Sequence, residues 1–257
     1  MIKIASWNVN SIKARLDHVL EYCKNDSADV LLLQELKTTD ENFPRDSFAD
    51  IGWNVATHGQ KTYNGVAILS KREVKVLQIG LPGDDTDEQA RYMEAEISGV
   101  RIANIYLPNG NPCPGPKYDY KLAWMERLSL RAQWLINQEK PAVLAGDFNV
   151  IPYPIDCYDP MLWRDDALFR QQTRSKFYSI CNLGYLDAMR QINPDGAYYT
   201  FWDYQRGAWQ KDNGIRIDHI LLSPEVADRL VDSNVDRRPR GLQKASDHTP
   251  IWCELSI

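Results

Sequence analysis

The chain lacks several things that common function classes require. No apolar run approaches the length of a membrane span. Met1-Ile2-Lys3-Ile4-Ala5 leads straight into an apolar alternation, so no signal peptide is expected. The five cysteines, Cys23, Cys113, Cys157, Cys181 and Cys253, are scattered, odd in number and never spaced Cys-x-x-Cys. They form neither a disulfide framework nor a zinc site and read as reduced thiols of a cytoplasmic protein. Positive charge is also in short supply, with a formal net charge of −5. That balance argues against a protein that coats nucleic acid through bulk charge. Any cationic surface has to be local, and the candidate patches are Lys13/Arg15, Lys61, Arg206/Lys211/Arg216 and Arg237/Arg238/Arg240/Lys244. Three catalytic signatures are missing. There is no Gly-x-Ser-x-Gly elbow and no His-Glu-x-x-His helix. The stretch Gly110–Lys117 has no Gly-Lys-Ser/Thr, and its prolines offer no N–H to a phosphate, so it is not a P-loop.

What is present is an ordinary globular composition, 44% hydrophobic and 25% charged, in a chain long enough to bury a large core. Short apolar runs rich in β-branched residues recur at Ile2–Trp7, Val30–Leu33, Val66–Leu69, Val74–Ile79, Val100–Tyr106, Ala142–Ala145, Ile217–Leu222 and Pro250–Leu255. These predict strands. Helical spacing appears over Ser11–Tyr22, with Ser11 as a candidate cap, over Tyr118–Gln138, and from about Leu168 to Leu183. Strands outnumber helices, and Ser98-Gly99 looks like a hairpin turn. The pattern predicts two mostly antiparallel β-sheets packed face to face with helices outside. With no composition break, linker or short-period repeat, residues 1–257 read as one domain. The loops Pro82–Gln89, Pro108–Pro116 and Ile151–Pro160 are long enough to carry function.

The chemistry lies where the strands stop. Asn8 and Asn10 close the first run, and Gln34-Glu35 closes the second. Gly146-Asp147-Phe148-Asn149 follows Ala142–Ala145, Asp218 sits within Ile215–Leu222, and Ser246-Asp247-His248 precedes the last run. If these ends meet at one edge of the sandwich, Asn8, Glu35, Asp147, Asn149, Asp218, Asp247 and His248 share a pocket. An acid at a strand end is usually a turn former or helix cap, so the joint pattern carries the argument. The residue types suit phosphodiester hydrolysis. Magnesium takes oxygen ligands, for which Glu35 is the best candidate, with Asn8 and Asp247 beside it. One histidine and no cysteine in the set disfavour zinc. His248 can donate to a phosphoryl oxygen with a carboxylate such as Asp218 orienting its ring. Asp147 can move a proton, and Asn149 can stabilise developing charge.

At this point the chain resembles a known family. Ala28–Lys37, with its Gln34-Glu35-Leu36-Lys37, is similar to the glutamate block of exonuclease III and related abasic-site endonucleases. Further blocks are Trp7-Asn8-Val9-Asn10, Tyr106–Gly110, Gly146–Asn149, Gly214–Asp218 and Ser246–Pro250, in the family's order and spanning nearly the whole chain. The resemblance implies an α/β (α+β) four-layer sandwich, two mixed, mostly antiparallel β-sheets packed face to face and flanked by helices, that serves as a magnesium-dependent (or manganese-dependent) DNA-repair phosphodiesterase. Its activities would be incision 5′ to an abasic site, 3′-to-5′ exonuclease and 3′-phosphatase, on double-stranded DNA with abasic sites or blocked 3′ ends. It further implies Glu35, Asn8 and Asp247 at the metal, Tyr106 on the scissile phosphate, Asp147 and Asn149 in proton chemistry, and Asp218 paired with His248. Asn109, Tyr63 and Phe201 match positions near DNA, and Lys37 one behind the metal. A monomer is expected. Three departures stand out: Asp187-Ala188-Met189-Arg190 where the family commonly has Asp-Ser/Thr-Phe/Tyr-Arg, Asn213 directly before Gly214 and so displaced by one, and Pro112 where some relatives carry a DNA-inserting arginine. Two rivals remain open: a phosphatase or phosphodiesterase for another substrate on the same scaffold, and a non-catalytic DNA-binding module.

Overall fold

The computed structural model describes residues 1–25 and 27–257. Twelve strands form among them: β1 (Ile2–Asn8), β2 (Val30–Gln34), β3 (Asn54–His58), β4 (Val66–Ser70), β5 (Lys75–Ile79), β6 (Tyr92–Ile97), β7 (Val100–Tyr106), β8 (Ala142–Asp147), β9 (Leu186–Asp187), β10 (Asp218–Leu222), β11 (Leu230–Val235) and β12 (Ile251–Leu255). They make two six-stranded sheets, ordered β11-β12-β1-β2-β4-β3 and β5-β6-β7-β8-β10-β9. The sheets have the same plan. Each has one parallel pair at its centre, β1/β2 or β7/β8, and antiparallel neighbours on both sides. A parallel pair needs a crossover, and helices α1 (Leu16–Lys24) and α3 (Pro116–Ile136) lie in those two connections. Shorter helices α2 (Arg45–Ala49), α4 (Pro160–Trp163), α5 (Gln171–Asn182), α6 (Ala188–Ile192) and α7 (Pro224–Ala227) complete the set.

Alternation along the strands creates the layers. Ile2, Ile4, Val30, Leu32 and Ile68 of the first sheet face Met93, Ala95, Ile102, Val143 and Ile220 of the second in one dry core. The opposite faces are covered separately. Trp7, Leu31 and Leu33 pack with Val19, Tyr22 and Phe48 from helices α1 and α2. Ile105, Leu144 and Leu221 pack with Trp124, Leu128 and Phe177 from helices α3 and α5. Each fully buried large apolar side chain stabilises the fold by roughly 1.5–3 kcal/mol, which makes these layers the main stabilising element.

Two departures from the sequence reading have physical causes. The first helix starts at Leu16, not Ser11. The N–H groups of Val9, Ser11 and Ile12 donate to the carbonyls of Gln34, Glu35 and Leu36, which ties this segment in a non-helical conformation beside the exit of β2. Strands β3, β9 and β11 are not evident in the sequence because they are short or rich in polar residues, and β6 is implied only by the hairpin turn at Ser98-Gly99 because a polar residue interrupts its apolar run. In β6 the interruption is Glu94, fully buried and held by Arg131 at 2.7 and 2.9 Å and by the Tyr92 hydroxyl at 2.6 Å.

Arg216 also departs from expectation. A candidate for a DNA-facing patch, it is in fact completely buried. Its guanidinium forks onto Asp156 at 2.7 and 3.0 Å and reaches Asp187 at 2.9 Å, and Arg190 joins Asp156. The loop after β8, the start of helix α6 and the segment entering β10 are thereby tied together. Asp187 and Arg190, the outer residues of the block that departs from the family pattern at its centre, serve in this cluster. Removing one partner of a buried pair leaves the other charge without compensation. Arg216→Met is therefore expected to lower unfolding free energy by about 3–5 kcal/mol in denaturant titration. A decrease below about 1 kcal/mol, the range of exposed pairs, would show that the cluster does not anchor these segments.

Candidate active site

Strand direction brings the polar strand ends to one edge. Asn8 and Gln34 are register partners at the carboxyl ends of the parallel pair β1/β2, with Glu35 next. Tyr106 and Asp147 are register partners at the carboxyl ends of β7/β8. Strand β10 runs antiparallel to β8, so its first residue, Asp218, pairs with the last residue of β8, Asp147. Strand β12 runs antiparallel to β1, so His248, just before it, lies where β1 ends. A cavity of about 280 Å³ opens there and is lined by Asn8, Glu35, Tyr106, Asp147, Asp247 and His248 among others.

Its centre is a buried relay. His248 Nδ1 lies 2.9 Å from Asp218 Oδ2, and Nε2 lies 3.8 Å from Asp147 Oδ2. The first is a hydrogen bond; the second exceeds one, so the Nε2 proton is uncommitted. Asn8 crosses from the other sheet and donates Nδ2–H to Asp147 Oδ2 at 3.0 Å, while the Asn149 N–H donates to Oδ1 at 2.9 Å. The Asn149 amide donates to the Leu107 carbonyl at 2.9 Å and accepts from Asn109 at 3.0 Å, leaving one N–H for a ligand. Across the cavity Tyr106 donates its hydroxyl to Glu35 Oε1 at 3.1 Å. Lys37 stands 3.6 Å from the same oxygen and donates to Asn10 Oδ1 at 2.5 Å. Asn10 in turn donates to Asp247 at 3.1 Å. Behind the site, Gln34 donates to Ser6 and Asn104 at 3.0 and 2.7 Å, so the seam turns polar just below the cavity.

Protonation follows from burial and charge. Burial raises the Asp147 carboxyl well above the carboxylate range; the His248 cation opposes this and Asp218 adds to it. Burial alone would lower the His248 imidazole, but Asp218, Asp147 and Asp247 outweigh it, and His248 is raised. Tyr106 is raised well above its ordinary value by burial and by Glu35 and Asp147, so it stays a phenol and a donor. The ligand-type atoms of Asp147, Asp218 and His248 lie within 4.8 Å of one another. Both His248 nitrogens face carboxylates there, an arrangement suited to sharing a proton. Glu35, Asn8 and Asp247, each with a side-chain oxygen, line the same cavity.

Of the sequence candidates, Asn109 and Phe201 also line the cavity. The Phe201 ring lies edge-on to His248 with centroids 5.0 Å apart, whereas Trp202 is fully buried, as alternation predicts for adjacent residues. Lys37 approaches through Asn10 and Glu35. Tyr63, 69% exposed in the loop between β3 and β4, is not part of the cavity lining. Several neighbours are not anticipated by the sequence. Asn111 holds Asp166 at 3.1 Å, and both line the cavity with Leu168. Thr200 Oγ1 accepts from the Asp218 N–H at 3.2 Å. Lys121 is fully buried and donates to the carbonyls of Asn109 and Asn149 at 3.0 and 2.5 Å. A lysine on the apolar stripe of helix α3, between Tyr118 and Met125, is the signal that could have found it. Asp166 and Leu168 give none, because they come from a loop remote in sequence from every catalytic block. The basic patches also shrink, since Arg237 pairs with Asp212 at 2.6 Å, Arg238 with Asp236 at 2.6 Å, and Arg240 is buried.

Comparison with known proteins agrees with this geometry. Residues 5–248 match the Endonuclease/Exonuclease/phosphatase family. Exodeoxyribonuclease III of Haemophilus influenzae is 31% identical over 99% of this chain and 100% of its own length. The structure of a 3′ phosphatase from Neisseria bound to product DNA hairpin is 39% identical, with TM-score 0.98 and full coverage of both chains. An AP endonuclease from Archaeoglobus fulgidus is 39% identical, with TM-score 0.96 and full coverage of both chains. Sequence blocks, sheet topology and full-length similarity converge: the chain belongs to the exonuclease III family of abasic-site endonucleases, within the endonuclease/exonuclease/phosphatase superfamily.

Proposed function

We propose that the chain is a DNA-repair phosphodiesterase that incises 5′ to abasic sites and also acts as a 3′-to-5′ exonuclease and 3′-phosphatase on double-stranded DNA. It works as a single-domain cytoplasmic monomer over residues 1–257. The observation that supports this most directly is the Asp218–His248–Asp147 relay facing Tyr106 and Glu35 across one cavity. Asp147, its affinity for a proton raised by burial, takes a proton from attacking water or delivers one to the leaving oxygen. His248, oriented by Asp218, donates from Nε2 to a phosphoryl oxygen. The free N–H of Asn149 and the phenol of Tyr106 supply further donors where negative charge develops. Phe201 and Asn109 meet the nucleotide beside the scissile bond, and Tyr63 meets the duplex outside the cavity.

The metal is magnesium, for which manganese substitutes. The donor set fits such an ion, because Glu35, Asn8 and Asp247 each offer a side-chain oxygen as ligand at the cavity. When bound, the ion supplies Lewis-acid stabilisation of phosphoryl charge. Lys37, near Glu35 and tied to Asn10, keeps this side of the cavity in place.

A gel assay on three duplexes tests the function: one with an abasic-site analogue, one with a recessed 3′ end and one with a 3′-phosphate. Magnesium-dependent cleavage of the first is the expected result, and no cleavage of any would refute the reading. Glu35→Ala should cut activity by several orders of magnitude at low magnesium, with partial recovery at high manganese. Full activity at low magnesium would remove Glu35 from the metal.

Asp218→Asn and His248→Ala should each reduce kcat by roughly 10²–10⁴-fold. Their double variant should be little worse than the poorer single, because residues acting as a unit are not additive. Additive losses in the cycle would break the pairing.

The pH profile should carry the same signature. Activity falls on the acid side as Asp147 takes up its proton, at a pH well above the value near 3.9 of an ordinary aspartate. It falls on the alkaline side as His248 loses its proton, above the ordinary imidazole value near 6.5. Asp218→Asn removes a carboxylate that raises His248, so it should move the alkaline limb down. An alkaline limb that stays in place would contradict the assignment.

A further inference from the structure

Beyond the catalytic cavity lies a second concavity, of about 440 Å³, with an unusual charge balance. Its lining includes Arg164, Asp165, Phe169, Arg170, Gln171 and Arg174. Three guanidinium groups thus face one cavity against a single carboxylate, and among the described residues none of the three forms an ion pair. Two are held in place by neutral groups. Arg170 donates Nε–H to the Asp165 carbonyl at 3.0 Å and stacks over Tyr118, and Arg174 lies over the Phe169 ring, 4.6 Å from its centroid. Arg164 is exposed. Clustering like charges without counter-charges costs Coulomb energy, and an anionic ligand reverses that cost. The cavity also sits at the amino end of helix α5, which is twelve residues long, has no side-chain cap and carries no acid in its first turn. Its free amides and dipole favour an anion at the same place.

The position of this cavity indicates which anion. One loop builds the walls of both cavities: Asp166 and Leu168 line the catalytic one, and Arg164, Asp165, Phe169 and Arg170 line the other. The catalytic cavity itself is rich in acids, namely Glu35, Asp147, Asp166, Asp203 and Asp247. In a chain of net charge −5, a polyanion brought to those acids needs cations beside them. Of the other anticipated cations, Arg216 and Arg240 are buried and Arg237 and Arg238 are paired, while Arg206 and Lys211 line a separate concavity with Phe201 and Asp203. We propose that Arg164, Arg170, Arg174 and the amino end of helix α5 form a phosphate site that grips the DNA backbone outside the catalytic cavity. The site rests on the DNA-cleaving reading above and positions that same substrate.

Salt dependence separates a phosphate-gripping residue from a structural one, because each phosphate neutralised contributes about 0.9 to the slope of log Kd against log salt. The full-length protein is titrated with a duplex carrying an abasic-site analogue, without metal, over about 50–200 mM salt. Arg164→Gln should weaken binding severalfold at low salt and reduce the slope by about 0.9, and Arg164→Lys should retain the slope. Arg170→Gln should behave as Arg164→Gln does. Unchanged slopes in both glutamine variants would overturn the phosphate site. So would an equal decrease in affinity at every salt concentration. Cleavage by the wild-type chain is assayed on the same duplex. If it cuts while the slopes stay unchanged, only the phosphate site falls; if it neither binds nor cuts, the DNA-cleaving reading falls and takes the site with it.

Discussion

The hydrogen bond from Asn8 to Asp147, 3.0 Å long and buried, is the contact on which the rest of the site depends. It joins the carboxyl end of β1 in one sheet to the carboxyl end of β8 in the other. Through it the two halves of the sandwich share one carboxylate, and that carboxylate faces His248. A backbone constraint sits directly beneath it. Gly146 has φ 149°, and a Cβ there would fall 1.9 Å from the Ile105 carbonyl oxygen of the neighbouring strand. Only glycine permits the strand to turn at this point while staying paired with β7, and Asp147 takes its direction from that turn.

Strain marks the same edge. Asn10, Ser11, Glu35, Lys37 and Asn149 all have left-handed backbone conformations, with φ between 44° and 90°. Such conformations cost of order 1–3 kcal/mol each in non-glycine residues and persist where surrounding structure holds them. Here the holding contacts are visible: Ser11 and Ile12 hydrogen-bond to the Glu35 and Leu36 carbonyls, and Lys37 N–H to that of Asn64. The dry core between the sheets stabilises the fold, and the polar, strained end of the seam draws on that stability to orient side chains.

Charge is organised at two ranges. Within the cavity, carboxylates sit close enough to one histidine to raise its proton affinity, while burial raises that of Asp147. At longer range the protein keeps a net negative charge while three arginines that form no ion pair among the described residues line a concavity beside the acids. Buried ion clusters such as Arg216 with Asp156 and Asp187 belong to neither arrangement; they fasten loops.

Much of this is legible in the sequence, for identifiable reasons. Apolar runs with polar punctuation mark central strands and their ends, because a strand buried on both faces must be apolar until it leaves the sheet. Asn8, Glu35, Asp147, Asp218 and His248 are therefore locatable as residues at strand ends, their block order resembles one family, and Tyr106 enters through that resemblance. Edge strands such as β11, half exposed and polar, are not, and Ser11 reads as a helix cap although the chain beside β2 claims its N–H. Tertiary structure alone decides which cations are free. Arg216 and Arg164 are both arginines outside the strands, yet one is sealed between two carboxylates and the other faces solvent beside Arg170 and Arg174. A sequence records that a charge exists. Whether it meets a counter-charge depends on which loops the two sheets bring together, and that is a property of packing.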